Sequence, residues 1–117
     1  MQAIDSKQDV YLIALQRSLH KDWQIEDNLA ELAELATDAG LNVVDSFVQK
    51  RAHPDPGTFI GRGKARELGE IVDGSLVIID DELTPAQQGN LADLMDAPVL
   101  DRTQLILDIF AQRAHTH

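Results

Sequence analysis

"SLVIIDDELTPAQQGNL", Ser75 to Leu91, is the stretch whose reading decides the fold. Ser75–Asp80 is a short, continuous apolar run closed by Asp80, Asp81 and Glu82, the pattern of a strand buried on both faces. The second half starts a helix. Thr84 stands at the N-cap, Pro85 at the first helical position, and Gln87 three residues after the cap completes a capping box. A doubly buried strand running straight into a helix is the repeating unit of a parallel sheet.

The same unit recurs on both sides. Downstream, "APVL" is a short strand, and Asp101 caps a last helix with Gln104 at N3 and Leu105, Ile106, Ile109 and Phe110 as its buried face. Upstream, a helix from about Lys64 carries Ala65, Leu68 and Val72 on one face, and Gly74 closes it. Further back lie a strand candidate, "LNVVDSFVQ", and a helix with the stripe Ile25, Leu29, Leu32 and Ala36 ended by Gly40. "VYLIAL" (Val10–Leu15) is the first buried strand. The order β-α-β-loop-α-β-α-β-α predicts an α/β fold: a small parallel four-stranded sheet flanked by helices. Met95, Phe110 and Trp23 are expected to be core or half-buried packing residues.

A chain of 117 residues is one ordinary domain, and its 44% hydrophobic content is that of a globular protein. Without cysteine there is no disulfide framework and no thiolate metal site. No apolar stretch approaches the roughly 20 residues of a membrane span, and the N-terminus lacks the pattern of a signal peptide. Net charge is −10, which argues against nucleic-acid binding by the whole surface. The charge is uneven: residues 46–66 hold Lys50, Arg51, Arg62, Lys64 and Arg66 against Asp55 alone.

Within that basic stretch, "GTFIGRGKARELGEI" (Gly57–Ile71) looks like a phosphate-binding loop, with Gly57, Gly61 and Gly63 ahead of a helix. A nucleoside-triphosphate loop needs four residues between its first glycine and a Gly-Lys pair, then a serine or threonine for magnesium. At the right distance the chain reads Gly61-Arg62, and Ala65 follows the actual Gly63-Lys64 pair, so the motif is incomplete. Two readings remain open: a tight glycine-rich turn, or a helix N-terminus with Arg62 and Lys64 that attracts phosphate or RNA. Asp80 occupies the place of a phosphorelay acceptor, but the acidic pair such a protein needs after its first strand is replaced by "ALQRS". His115 and His117 have no acid or cysteine to complete a metal site. No catalytic constellation and no metal site is expected.

The whole chain resembles the N-terminal domain of the HflX-type GTPases, a ribosome-associated and ribosome-splitting family. "PVLDRTQLILDIFAQRAHTH" (Pro98–His117) is the most specific match. "FIGRGKARELGEI" fits the family's loop and helix, with Phe59 where tyrosine is common and Arg62 where serine is common; "VVDSFVQKRAHPDPGTFIG" and "LVIIDDELTPAQQGNLADLM" fit too. The resemblance implies an unspecific tail over residues 1–7 and an α/β subdomain over 8–117, cut before a helical hairpin and a GTPase domain. GTP and Mg2+ are then expected in that later domain, with no cofactor here beyond weak ATP binding. The implied partners are the large ribosomal subunit and its RNA, and the protein's own hairpin and GTPase domain, in the cytoplasm. Lys50, Arg51, Arg62, Lys64 and Arg66 are the expected RNA- or phosphate-facing residues. Two other roles are expected alternatives: a non-standard nucleotide-binding domain with an RNA-remodelling role, and structural support for the hairpin and GTPase domain.

Overall fold

The computed structural model describes residues 7–114. Four strands alternate with four helices: β1 (Asp9–Gln16), α1 (Asp22–Asp38), β2 (Asn42–Lys50), α2 (Arg62–Val72), β3 (Leu76–Ile79), α3 (Pro85–Met95), β4 (Val99–Asp101) and α4 (Arg102–Ala114). All strand pairs are parallel, in the order β2-β1-β3-β4. This is the α/β sheet that the alternation of strand and helix patterns predicts. The histidine pair His115 and His117 lies outside the described residues.

The apolar runs of β1 and β3 are continuous because each strand feeds two cores. Val10, Leu12 and Ala14, with Leu76 and Ile78, face α1 and α4 through Leu29, Leu32, Leu105 and Ile109. Ile13, Leu15, Val77 and Ile79 face α2 and α3 through Leu68, Val72, Leu91 and Met95. Strand β2 is an edge strand and is largely exposed. It slips register between Val10↔Val43 and Tyr11↔Asp45. The slip sends Gln49, paired with Leu15, toward the α2 side and Lys50, paired with Gln16, toward the α1 side.

The helix ends follow the sequence signals with small differences. Thr84 and Gln87 cap α3 reciprocally, at 3.1 and 3.0 Å. Asp101 and Gln104 do the same for α4, at 2.9 and 3.1 Å. Gly40, at φ 86°, ends α1 while the Leu41 N–H returns to the Ala36 carbonyl at 3.0 Å. Helix α1 starts at Asp22 and not Ile25, because the Gln24 side chain accepts the Lys21 N–H at 2.8 Å and caps an extra turn. Helix α2 starts at Arg62, and the left-handed cap after it is Asp73, with Gly74 next.

Three packing expectations divide. Met95 is buried, but Trp23 is 58% and Phe110 64% exposed. On α4, Leu105 and Ile109 sit one turn apart against the sheet, and Phe110 lies about 100° further round the helix, past the edge of the core. Trp23 is in the first turn of α1, ahead of the stripe that begins at Ile25.

Candidate nucleic-acid interface

Because every strand is parallel, the carboxyl ends of the strands and the N-termini of the helices share one edge of the sheet. Strand order sorts the charges along that edge. Arg17 follows β1, Lys50 ends β2 and Arg51 follows it, whereas Asp80 and Asp81 follow β3 and Asp101 ends β4. The β2-β1 half is basic and the β3-β4 half acidic.

The glycine-rich loop has little left to offer a phosphate before the helix begins. The Asp55 carboxylate accepts the N–H groups of Gly57 and Thr58 at 2.7 and 3.0 Å. The Phe59 N–H goes to the Asp55 carbonyl at 2.8 Å and that of Ile60 to the Thr58 carbonyl at 2.7 Å. Gln49 Oε1 accepts the Gly61 N–H at 2.9 Å. Every N–H from Gly57 to Gly61 is thus spent within the protein. The two backbone bonds to Gly57 and Thr58 hold the Asp55 carboxyl below the usual carboxylate range. Phe59 takes a left-handed φ of 65° while its side chain enters the core. From α3, Gln87 Nε2 donates to the Asp55 carbonyl at 2.9 Å and Asn90 Nδ2 to the Gly57 carbonyl at 2.8 Å. The segment is a locked turn, and the donors free of a side-chain cap are those of α2 itself, since Gly61 is its N-cap.

The five cations that sequence singles out do not share one face. Arg51 meets the start of α2: its Nη1 lies 3.1 Å from where a Cβ on Gly61 would stand, and its Nε donates to the His53 carbonyl at 3.0 Å. Arg62 leans toward α3, its Nη2 3.8 Å from a Cβ position on Gly57. Lys64, two residues on, projects from the other flank of α2 and pairs with Glu67 at 3.6 Å. Arg66 lies beside Glu70, Asp93 and Asp96 in the groove between the C-terminal halves of α2 and α3. Lys50 is on the opposite side of the sheet from Gln49 and approaches Asp22 at 3.9 Å. Gly63 has open space around it.

The sequence reading misses residues of the β1–α1 loop that join Lys50 and Arg51. A cleft of ≈ 490 Å³ at this edge is lined by Gln16, Arg17, His20, Asp22, Lys50 and Arg51, together with Ser18 and Ala52. Arg17 reaches Asp81 at 3.5 Å, but its Nε is buried and has no hydrogen-bond partner among the described residues. The signal that could have found this loop is positional. Arg17, His20 and Lys21 follow a doubly buried strand, where parallel sheets place ligands. Asp80 is likewise more than the polar exit of a strand. Its side chain is 2% exposed and takes both the Nε (2.9 Å) and the Nη2 of Arg102. Burial pushes its carboxyl above the usual range, opposed by the bond to Arg102. Among the described residues no group of acids and histidines could hold a metal ion, and no helix is long and apolar enough to cross a membrane.

The family model "GTP-binding GTPase N-terminal" matches residues 26–111. The chain is 49% identical over 96 residues to the GTPase HflX of Flavobacterium psychrophilum, covering 80% of this chain and 23% of that protein. With the GTPase HflX of Escherichia coli it shares 45% over 100 residues, 83% of this chain and 23% of that protein. The chain therefore spans about a quarter of the length of these relatives. Among solved structures, the SsGBP–GDP complex superposes with a TM-score of 0.68 at 20% identity, over 92% of this chain and 30% of that one. A GTP-binding protein from Sulfolobus solfataricus in complex with GDP gives 0.62 at 22%, over 86% and 30%. At those identities the likeness concerns the fold.

Proposed function

The chain belongs to the HflX-type GTPase family, as its N-terminal domain, and we propose that it is the module through which such a GTPase grips the RNA of the large ribosomal subunit. On this reading GTP and Mg2+ bind elsewhere in the protein, in a GTPase domain reached through a helical hairpin. The whole assembly dissociates stalled or stressed ribosomes in the cytoplasm. The observation that carries the proposal is the basic half of the carboxyl edge in a chain of net charge −10. Acidic surface elsewhere repels phosphate, so a contact made at this edge by Arg17, Lys50 and Arg51, with Arg62 and Lys64 on the two flanks of the first turn of α2, also sets orientation. Arg66, among carboxylates, contributes least.

Supporting the hairpin and GTPase domain is a second role, favoured by one observation: α4 presents Leu107 and Phe110 to solvent, 60% and 64% exposed. The two roles use different surfaces and are compatible. Co-sedimentation of the chain with purified ribosomal subunits tests the first. Pelleting with large and not small subunits is expected; no pelleting with either, at low salt and with the fold intact, overturns it.

A further inference from the structure

The geometry points to the β1–α1 loop as a seat for an unstacked nucleotide of single-stranded RNA, its phosphate in the cleft and its base on Trp23. The inference rests on the RNA-binding reading above and goes beyond it by naming the form of RNA and the residues that select it.

The cleft supplies the phosphate half. Arg17, Lys50 and Arg51 line it together; Lys50 pairs with Asp22 and Arg17 with Asp81, at the long distances of 3.9 Å and 3.5 Å. Such exposed pairs are weak and readily exchanged for a phosphate. The Arg17 side chain is 41% exposed, and its buried Nε has no acceptor among the described residues, so the guanidinium is held only by the long pair to Asp81 and is left to turn toward a phosphate. His20 is oriented for the same task. Its Nδ1 accepts the Arg17 N–H at 3.2 Å, so the neutral ring carries its one proton on Nε2, and that N–H is the donor it can offer.

The base half is apolar and exposed. Leu19 is 93% exposed, between two residues that line the cleft, and Trp23 is 58% exposed next to Asp22, another of them. Asp22 and Glu26 flank a groove with Val48 and Lys50 that continues from the cleft, and Trp23 is the next side chain round α1 from that groove. Neither Leu19 nor Trp23 has a core to fill. Aromatic platforms beside cationic grooves bind unstacked bases, and the stacked bases of a duplex are closed to them.

Trp23 is the only tryptophan in the chain, so its fluorescence reports on this site alone. The probes are a short unstructured RNA, the same strand annealed to its complement, and ATP. The single strand should quench Trp23 and bind about tenfold more tightly than the duplex. Trp23→Ala should remove that preference and leave duplex binding unchanged, Trp23→Phe should retain most of it, and Arg17→Gln should lower the salt dependence by about one phosphate contact. Equal affinity for strand and duplex, or an unquenched Trp23, overturns the proposal. Binding of ATP as tight as that of the strand assigns the seat to a free nucleotide and overturns it too. If the chain still pellets with large subunits in any of these cases, the RNA-binding reading stands and only this assignment falls.

Discussion

Gly69 lies inside α2, where alanine would ordinarily stabilise a helix by about 1 kcal/mol. Here the neighbouring helix decides otherwise. A Cβ on Gly69 would stand 2.8 Å from the Met95 Cα, 2.9 Å from its carbonyl oxygen and 3.2 Å from its carbonyl carbon. All three are backbone atoms of α3, and carbon–carbon contacts are comfortable only near 3.5–4.0 Å. The helices must therefore separate, loosening Leu68, Leu91 and Met95 in the core between them. Overpacking of this kind costs about 1–3 kcal/mol, and contact with backbone atoms at 2.8–3.2 Å puts Gly69→Ala at the upper end, so the net effect is a loss of up to about 2 kcal/mol once helix propensity is credited. Gly89 on α3 is the control, with nothing within 4 Å of its Cβ position. Gly89→Ala should gain up to about 1 kcal/mol. At roughly 4 °C per kcal/mol, thermal melts followed by circular dichroism should shift downward for Gly69→Ala and upward for Gly89→Ala. Two equally stabilised variants would refute the claim that backbone contact, and not flexibility, fixes a glycine at position 69.

Arg102→Met leaves Asp80 buried without its partner. Breaking a buried pair costs roughly 3–5 kcal/mol, but Arg102 is 41% exposed, so about 2 kcal/mol is expected near pH 7 once solvent screening is allowed for. Burial raises the Asp80 carboxyl, and losing Arg102 raises it further, so the penalty falls on the ionised form. Urea unfolding of variant and wild type should converge as pH drops toward the ordinary aspartate range and diverge as it rises; a gap independent of pH contradicts this. Asp55 has the opposite sign. Its depressed carboxyl stabilises the fold above the unfolded value and loses that effect as pH falls through the folded one. Asp55→Ala should speed amide exchange at Gly57 and Thr58, and Asp55→Asn should flatten the acid side of the stability curve; unchanged exchange in Asp55→Ala means the turn is held by other bonds. Gln87→Ala removes both a cap partner of Thr84 and an anchor of the Asp55 carbonyl, for a loss of about 1–2 kcal/mol. A chemical melt unmoved by more than a few tenths of a kcal/mol would show the two bonds to be redundant.

Much of the architecture is legible in the sequence because local signals and burial agree. Two reciprocal capping boxes, at Thr84/Gln87 and Asp101/Gln104, begin α3 and α4 where their residues predict. The runs in β1 and β3 are continuous because both faces are covered. What the sequence conceals is lateral placement. Strand order, which sorts bases to one half of the edge and acids to the other, depends on pairings across tens of residues. The same holds for Asp80 with Arg102, 22 residues apart. Counting charges along residues 46–66 suggests a single patch, whereas alternation in β2 sends Lys50 and Gln49 to opposite faces and helical rotation parts Lys64 from Arg62. Trp23 and Phe110 escape the rule that large apolar residues pack inside, since each lies off the buried stripe of its helix.

The central claim, that the basic edge of this acidic domain holds ribosomal RNA, is tested most directly by the salt dependence of large-subunit binding. Binding constants should be measured over a range of monovalent salt for the chain and for a variant with Lys50, Arg51, Arg62 and Lys64 all changed to glutamine. Each phosphate contact contributes a slope of about −0.7 to −0.9 in the log–log plot, so the variant should bind more weakly at low salt and lose up to about three from the slope. An unchanged affinity and slope, with the circular dichroism of the variant matching wild type, would contradict the account and leave the loop between β2 and α2 a turn.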